Sequence, residues 1–347
     1  MNLRWIAEGM DSAFIRLWIR PTLPIITRDS PLVRLRSAEA RTESGVRDED
    51  LFPDQLDPKY DTSRSRVLAN GQREITRCWP APIVPIESDW FPRTSRVQSV
   101  VSKWYFRDAP RPLVILVSGW RPFVALPMQL LWPTRRLDRA GFDVAISHLA
   151  FDAHSAARTA SQPFPSRDPC RNIIELARVA STLGQLLQVA RDRGHDTILV
   201  WGASLGGHVA ALSATLPAGK LADRYVLEKP LGRISDPLRF HGGSEAALRS
   251  EIADRLDAVY RAVSPLDRVP TVGSKHIAVV GGEFDQVARL AAACNFATHF
   301  HASLIRAGAS HLFDLHRSQR LVQILSENPD LTQSHSQNQL QGGAPVA

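Results

Sequence analysis

Cysteine is scarce in this chain: three occur in 347 residues, Cys78, Cys170 and Cys294. They lie far apart and form no Cys-x-x-Cys pair, so neither a disulfide framework nor a cysteine-built zinc cluster is expected. Such sparse usage fits a reducing, cytoplasmic compartment. Long apolar runs are missing too. No stretch reaches about 18 apolar residues, the length that a spanning helix needs. The N-terminus lacks the apolar core of a signal peptide, because Arg4, Glu8, Asp11 and Arg16 interrupt it and no Ala-x-Ala-like site follows. Internal repeats are absent. The net charge is +7, from 42 Lys and Arg against 35 Asp and Glu. No basic patch interleaved with aromatics accompanies it, so it reads as an arginine-rich surface and not as a nucleic-acid footprint.

The hydrophobic fraction is 44%, ordinary for a globular chain, and the length suits one large α/β domain with extensions. Residues 1–94 read as an N-terminal extension. In it, residues 1–20 form a candidate amphipathic helix, with Ile6, Met10, Ala13, Phe14 and Leu17 on one face and Arg4, Glu8 and Asp11 opposite. That apolar face is expected to dock on the protein's own core or to touch a membrane peripherally. Residues 28–75 are polar and charge-rich, and read as a loosely ordered surface extension. The run Trp79-Pro80-Ala81-Pro82-Ile83-Val84-Pro85 is too proline-rich for a central strand.

From residue 95 to 326 strands and helices alternate. Residues 95–106, 113–117, 142–146, 197–201, 225–227, 276–280 and 302–306 read as strands. Several are continuous apolar runs, as buried parallel strands are. Helices are expected at 126–140, 172–193, 286–293 and 312–326. Residues 231–265 read as a small helical cap or lid. Residues 327–347 are rich in Gln, Ser, Asn and Gly and read as a disordered tail. The alternation predicts an α/β fold, with a mostly parallel central sheet and helices on both faces.

The chemistry gathers at three places. The apolar run Thr197-Ile198-Leu199-Val200-Trp201 leads into Gly202-Ala203-Ser204-Leu205-Gly206-Gly207, and a helix-permissive segment follows. A serine between small residues on a sharp strand-to-helix turn is a nucleophile elbow. Serine needs a base, and the base needs a third group to orient it. Asp285 follows Gly281-Gly282-Glu283-Phe284 at a strand end. His311 follows Gly308-Ala309-Ser310 before the last helix. Glu228, at the end of an earlier strand, and Glu283 compete for the acid's place. Asp285 also stands where it would cap a helix starting at Gln286. His208 follows the elbow on a helix, where it is expected to pack or cap. His299 and His301 have no acidic partner at metal-ligand spacing, His241 and His316 lack a ligand set, and no cofactor or metal is expected.

At these motifs, over about residues 95–325, the chain resembles the α/β-hydrolase superfamily. The resemblance implies the α/β-hydrolase fold, with Ser204 as nucleophile, His311 as general base and then acid, and Asp285 as orienting carboxylate. It also implies an oxyanion hole. One donor would be the backbone N–H of Leu205. The other would come from Ser118-Gly119-Trp120-Arg121, as Gly119 or Trp120. Many members carry His-Gly where this chain has Ser118-Gly119. Gly207 and His208 resemble dienelactone-hydrolase or peptidase-like members. The N-terminal extension, Pro85-Ile86-Glu87-Ser88 and Gly206-Gly207-His208 faintly resemble a lipid-directed branch. The implied activity is hydrolysis of a carboxylic ester or thioester through an acyl-enzyme, with a small-molecule acyl substrate. Leu231, Ile234, Leu238, Phe240 and Leu248 in the cap would suit an apolar acyl group. An acyltransferase or peptidase would use the same three residues. A non-catalytic hydrolase-fold scaffold at a membrane surface is the reading from another class.

Overall fold

The computed structural model describes residues 3–16, 29–43, 45–53, 62–91, 99–119, 132–147, 166, 168–241 and 246–326. In these residues one sheet runs in the order β1-β2-β3-β5-β4-β6-β7-β8-β9. Its strands are Thr62–Val67 (β1), Arg73–Pro80 (β2), Ser99–Phe106 (β3), Leu113–Val117 (β4), Asp143–Ser147 (β5), Ile198–Ala203 (β6), Arg224–Glu228 (β7), Ile277–Gly282 (β8) and Ser303–Ala307 (β9). Strands β5, β4, β6, β7, β8 and β9 pair in parallel. The edge from β1 through β3 is antiparallel, and β3 meets β5 antiparallel.

Alternate residues of the parallel strands feed two apolar layers. Leu113, Ile115 and Val117 of β4, with Ile198 and Val200 of β6, face one layer. Val114 and Leu116 of β4, with Leu199 and Trp201 of β6, face the other. The first layer is closed by Pro169–Asp192 (α6), Leu205–Ser213 (α7), Ala246–Tyr260 (α9) and Leu290–His299 (α10). The second is closed by Thr134–Arg139 (α5) and Arg317–Ser326 (α11). Strands that read as uninterrupted apolar runs are buried on both faces because helices cover both faces.

Helix α6 shows how local sequence sets an element. Asp168 caps it by accepting the Cys170 N–H at 3.0 Å, and Pro169 stands in the first turn, where a missing N–H costs nothing. Gly194 follows its end at φ +81°, a conformation that favours glycine. The helix therefore starts three residues before the Asn172 expected from apolar spacing.

Several boundaries differ from the sequence reading, each for a physical reason. The helix expected at 126–140 begins at Thr134, after Pro133, and residues 126–131 lie outside the described residues. The helix expected from Gln286 begins at Leu290, because Arg289 is extended (ψ 150°). The helix expected from Leu312 begins at Arg317, because Ser310 N–H bonds the Phe313 carbonyl at 3.0 Å and closes a turn first. Segment 28–75 holds Asp29–Thr42 (α2), Asp48–Leu51 (α3) and strand β1, and strand β2 begins within it. Trp79, in the proline-rich run, is buried on β2, and its Nε1–H bonds Gln185 at 2.9 Å. Glu87–Trp90 (α4) follows that run. Residues 327–347 lie outside the described residues.

The N-terminal helix, Leu3–Phe14 (α1), is docked differently from the expected face. Its buried residues are Ala7 and Asp11, with Ile15 continuing the line, while Met10 is 41% and Trp5 77% exposed. Position i, i+4, i+8 is one face of a helix, so the buried stripe is centred on an acid. The cap segment folds as Asp236–His241 (α8) and α9. Helix α9 packs beside α6 and α2, tied by the Arg255–Glu39 pair and by Asn172 donating to the Tyr260 hydroxyl at 2.9 Å. Among the described residues no helix is long and apolar enough to cross a membrane.

Candidate active site

Strand order reverses around β4, which has β5 on one side and β6 on the other. Open α/β sheets bind ligands at the carboxyl ends of strands at such a switch point. Ser118 and Gly119 leave β4 there, and Ser204 leaves β6. Ser204 has φ +56° and ψ −121°, a backbone conformation that costs a non-glycine residue of order 1–3 kcal/mol. Neighbouring hydrogen bonds hold it: Ser204 N–H donates to the Glu228 carbonyl at 2.9 Å, and Leu231 N–H to the Ser204 carbonyl at 3.1 Å.

The small residues around Ser204 are required by contact. A Cβ on Gly202 would overlap the Gly206 carbonyl, and one on Gly206 would overlap the Val117 carbonyl. On Gly207 it would stand 3.0 Å from Pro230 Cα. The turn is therefore pressed against β4 and the segment after β7.

His311 and Asp285 meet Ser204 from the loops after β9 and β8. His311 Nε2 lies 2.8 Å from Ser204 Oγ, and His311 Nδ1 lies 2.8 Å from Asp285 Oδ2. The Asp285 side chain is fully buried, and that of His311 is nearly so. Asp285 Oδ1 accepts the N–H groups of Val287 and Ala288, each at 2.8 Å. Asp285 thus caps the next turn with one oxygen and holds the imidazole with the other.

Glu228 ends β7 and is also buried, but its partners are Arg317, at 2.8–3.0 Å, and Trp201 Nε1–H, at 2.8 Å. Burial pushes its carboxyl up, and the Arg317 guanidinium outweighs this and holds it below the ordinary carboxylate range. The next residue, Lys229, is buried at φ +45°. Its ammonium donates to the Ser310 carbonyl at 2.6 Å and lies 3.4 Å from Asp314. Glu283 lies with Asp285 along a cleft of about 630 Å³ that also touches Ser12, Arg16, His241 and Arg289.

Of the expected oxyanion donors, Leu205 opens α7, where N–H groups have no partner inside the helix. Gly119 stands against the serine: a Cβ there would lie 2.8 Å from Ser204 Cβ and 3.4 Å from its Oγ. Trp120 lies outside the described residues. Ser118 accepts the Trp132 Nε1–H at 3.1 Å.

Other histidines are engaged elsewhere. His208 is buried with Nδ1 3.1 Å from the carbonyls of Leu231 and Gly232 and Nε2 3.3 Å from that of Val263. His299 Nε2 lies 2.8 Å from the Arg268 carbonyl. Among the described residues no three His, Cys, Asp or Glu are grouped to hold a metal ion.

One residue at this site escaped the sequence reading. Its polarity puts Asp11 opposite the apolar face of α1, yet its carboxylate is buried against the loops that carry Asp285 and His311. The signal available was its spacing, four residues from both Ala7 and Ile15.

A mostly parallel sheet with helices on both faces, and a glycine-flanked serine on the turn after a central strand, define the α/β-hydrolase fold, and the chain has that fold. Two solved structures are similar along most of their length. Acetyl xylan esterase 1 from Thermoanaerobacterium sp. JW/SL YS485 aligns at a TM-score of 0.59 and 10% identity, over 88% of this chain and 94% of that one. An acetyl xylan esterase from Paenibacillus sp. R4 aligns at 0.56 and 9% identity, over 86% and 94%. No family model matches the sequence, and no curated protein does. The faint likeness to a lipid-directed branch finds no support in these comparisons.

Proposed function

We propose that this protein is a serine hydrolase of carboxylic esters or thioesters. The observation that carries the reading is the continuous hydrogen-bonded chain from Ser204 Oγ through His311 to Asp285, at 2.8 Å for each link. In the reaction His311 Nε2 takes the hydroxyl proton as Ser204 Oγ attacks the acyl carbon. Asp285 holds the Nδ1 tautomer and stabilises the imidazolium that forms. Leu205 N–H and a backbone N–H of the Gly119–Trp120 loop donate to the oxyanion. The imidazolium protonates the leaving group. Water, deprotonated by the same His311, then releases the acid and frees Ser204.

That both neighbours above are named acetyl xylan esterases supports beginning with short acyl esters. The exposure of two large apolar side chains on α1, Trp5 and Met10, supports a peripheral membrane contact. The test is labelling by a fluorophosphonate with the adduct located by mass spectrometry, beside turnover of p-nitrophenyl acetate through octanoate. Labelling confined to Ser204 and lost in Ser204→Ala, with ester turnover, is the expected result. A folded wild-type protein that neither labels nor turns over any of these esters refutes the reading.

A further inference from the structure

The carboxylate of Asp11 is buried completely, and four donors reach it. Oδ1 accepts from Ser310 Oγ–H at 2.9 Å and from Leu312 N–H at 3.1 Å. Oδ2 accepts from His311 N–H at 2.9 Å and from Gln286 N–H at 3.1 Å. One side chain of the first helix therefore joins the residue after Asp285 to His311 and both of its neighbours. Ser12 of the same helix donates to the Gln286 side chain at 3.0 Å, and the Arg4 guanidinium lies over the Phe284 ring at 5.2 Å. From the other side Lys229 holds the Ser310 carbonyl.

A buried charge without hydrogen bonds is very costly. Here four dipoles solvate it, and all four belong to the two loops whose separation sets the Asp285–His311 hydrogen bond. Backbone bonds tie the roots of these loops, from Glu283 N–H to the Ala307 carbonyl at 2.9 Å and from Phe284 N–H to the Ala309 carbonyl at 3.0 Å. The Asp11 carboxylate ties them further out, at Gln286 and at Ser310 to Leu312, beside the two catalytic side chains themselves.

We infer that Asp11 is a positioning residue for the reaction proposed above, and that the N-terminal helix is thereby a working part of the active site. The inference rests on the serine-hydrolase reading for its rate effect. Its geometric half, the Asp285–His311 contact, is measurable without substrate.

The experiment compares the full-length wild type with Asp11→Asn, Ser310→Ala and Trp5→Ala. Ester turnover is expressed per fluorophosphonate-titrated serine, well below each variant's Tm, and the low-field proton NMR signal of the His311 Nδ1–H bond is recorded. Asp11→Asn presents an amide N–H₂ to two donors. Displacing a catalytic group by about 1 Å costs about 100-fold, so kcat should fall by about 10- to 100-fold with KM little changed, and the low-field signal should broaden or vanish. Ser310→Ala removes one of the four donors and should show the same change in smaller degree, which keeps the test informative if Asp11→Asn fails to fold. Trp5→Ala, on the outer face, should leave both readouts unchanged. A merely structural Asp11 would lower Tm while leaving kcat per titrated serine and the NMR signal as in the wild type, and that result overturns the inference. If the wild type hydrolyses nothing, the functional reading fails, and loss of the low-field signal in Asp11→Asn still supports positioning.

Discussion

Gly119→Ala tests whether the turn after β4 is packed against the nucleophile. The added Cβ would stand 2.8 Å from Ser204 Cβ and 3.0 Å from the Ala203 carbonyl oxygen, where ordinary contact begins at 3.4 Å. The gap must open by about 0.6 Å, the difference between those separations, and overpacking of this kind costs about 1–3 kcal/mol. Two of the three nearest atoms belong to Ser204 itself, so the movement falls on the serine and on the bond of 2.8 Å from its Oγ to His311. It also shifts a candidate oxyanion donor. Misplacement approaching 1 Å costs about 100-fold in rate, which is about 2.7 kcal/mol of barrier. Tm should fall by about 2–4 °C per kcal/mol of lost stability. Gly219→Ala is the control: its Cβ would overlap the Ser213 carbonyl at the far end of α7. It should lower Tm without changing kcat per fluorophosphonate-titrated serine. Wild-type turnover and wild-type Tm in Gly119→Ala would refute the packing of this turn against Ser204.

Asp285→Asn should lower kcat by about 10⁴-fold, the loss that accompanies a wrong histidine tautomer. The new amide can still offer its oxygen to Val287 and Ala288, so a melting curve near that of the wild type should accompany the loss. Glu228→Gln leaves the Arg317 guanidinium without its carboxylate, which for a buried pair costs about 3–5 kcal/mol. Chemical denaturation should show that loss while turnover per titrated serine is kept, and a dead but fully stable variant would reverse the assignment of the acid. Burial holds the His208 pKa below its ordinary 6.5. The folded state then binds fewer protons than the unfolded state below that pH, and stability is lost as pH falls from 6.5 toward the lowered value. Wild-type Tm should drop more steeply than that of His208→Gln between pH 7.5 and 5, and parallel slopes would count against it. Vesicles of anionic lipid should carry the protein in flotation, and Trp5→Ala should reduce the floating fraction. Absence of flotation by the wild type removes the membrane contact.

The parallel half of the sheet was legible because each of its central strands is an apolar run between turn residues. Burial on both faces leaves little else possible for such runs. The residues nominated from the order Ser204, Asp285, His311 stand within hydrogen-bond distance in the structure. What was illegible depended on partners remote in sequence. Strands β1 and β2 carry many charged residues and read as a polar extension, yet they pair with each other and with β3, as an exposed antiparallel edge allows. The buried face of α1 is not legible in the sequence, because an aspartate counts toward the solvent side in any pattern of polarity. The N–H groups of Gln286, His311 and Leu312 and the hydroxyl of Ser310, some 275 to 301 positions away, offset the cost of its burial.

Four buried carboxylates surround the end of the sheet, and the kind of partner each has separates their roles. Glu228 faces a guanidinium, and Asp314 faces Arg320 and Lys229. Neither acid is bonded to the imidazole, so a proton moving from Ser204 to His311 creates no new ion pair for either. Asp11 faces backbone N–H groups and a hydroxyl, fixed dipoles that hold position but do not change charge. Asp285 alone of the four faces an imidazole. When His311 takes the Ser204 proton in the proposed reaction, Asp285 acquires a full ionic partner that was absent in the resting state. Interactions that strengthen only as the reaction proceeds are the ones that raise kcat. On this ground substitution of Asp285 should act on rate, and substitution of Glu228 or Asp314 on stability. Asp11, which touches no reacting atom, should act on rate only through the geometry it imposes.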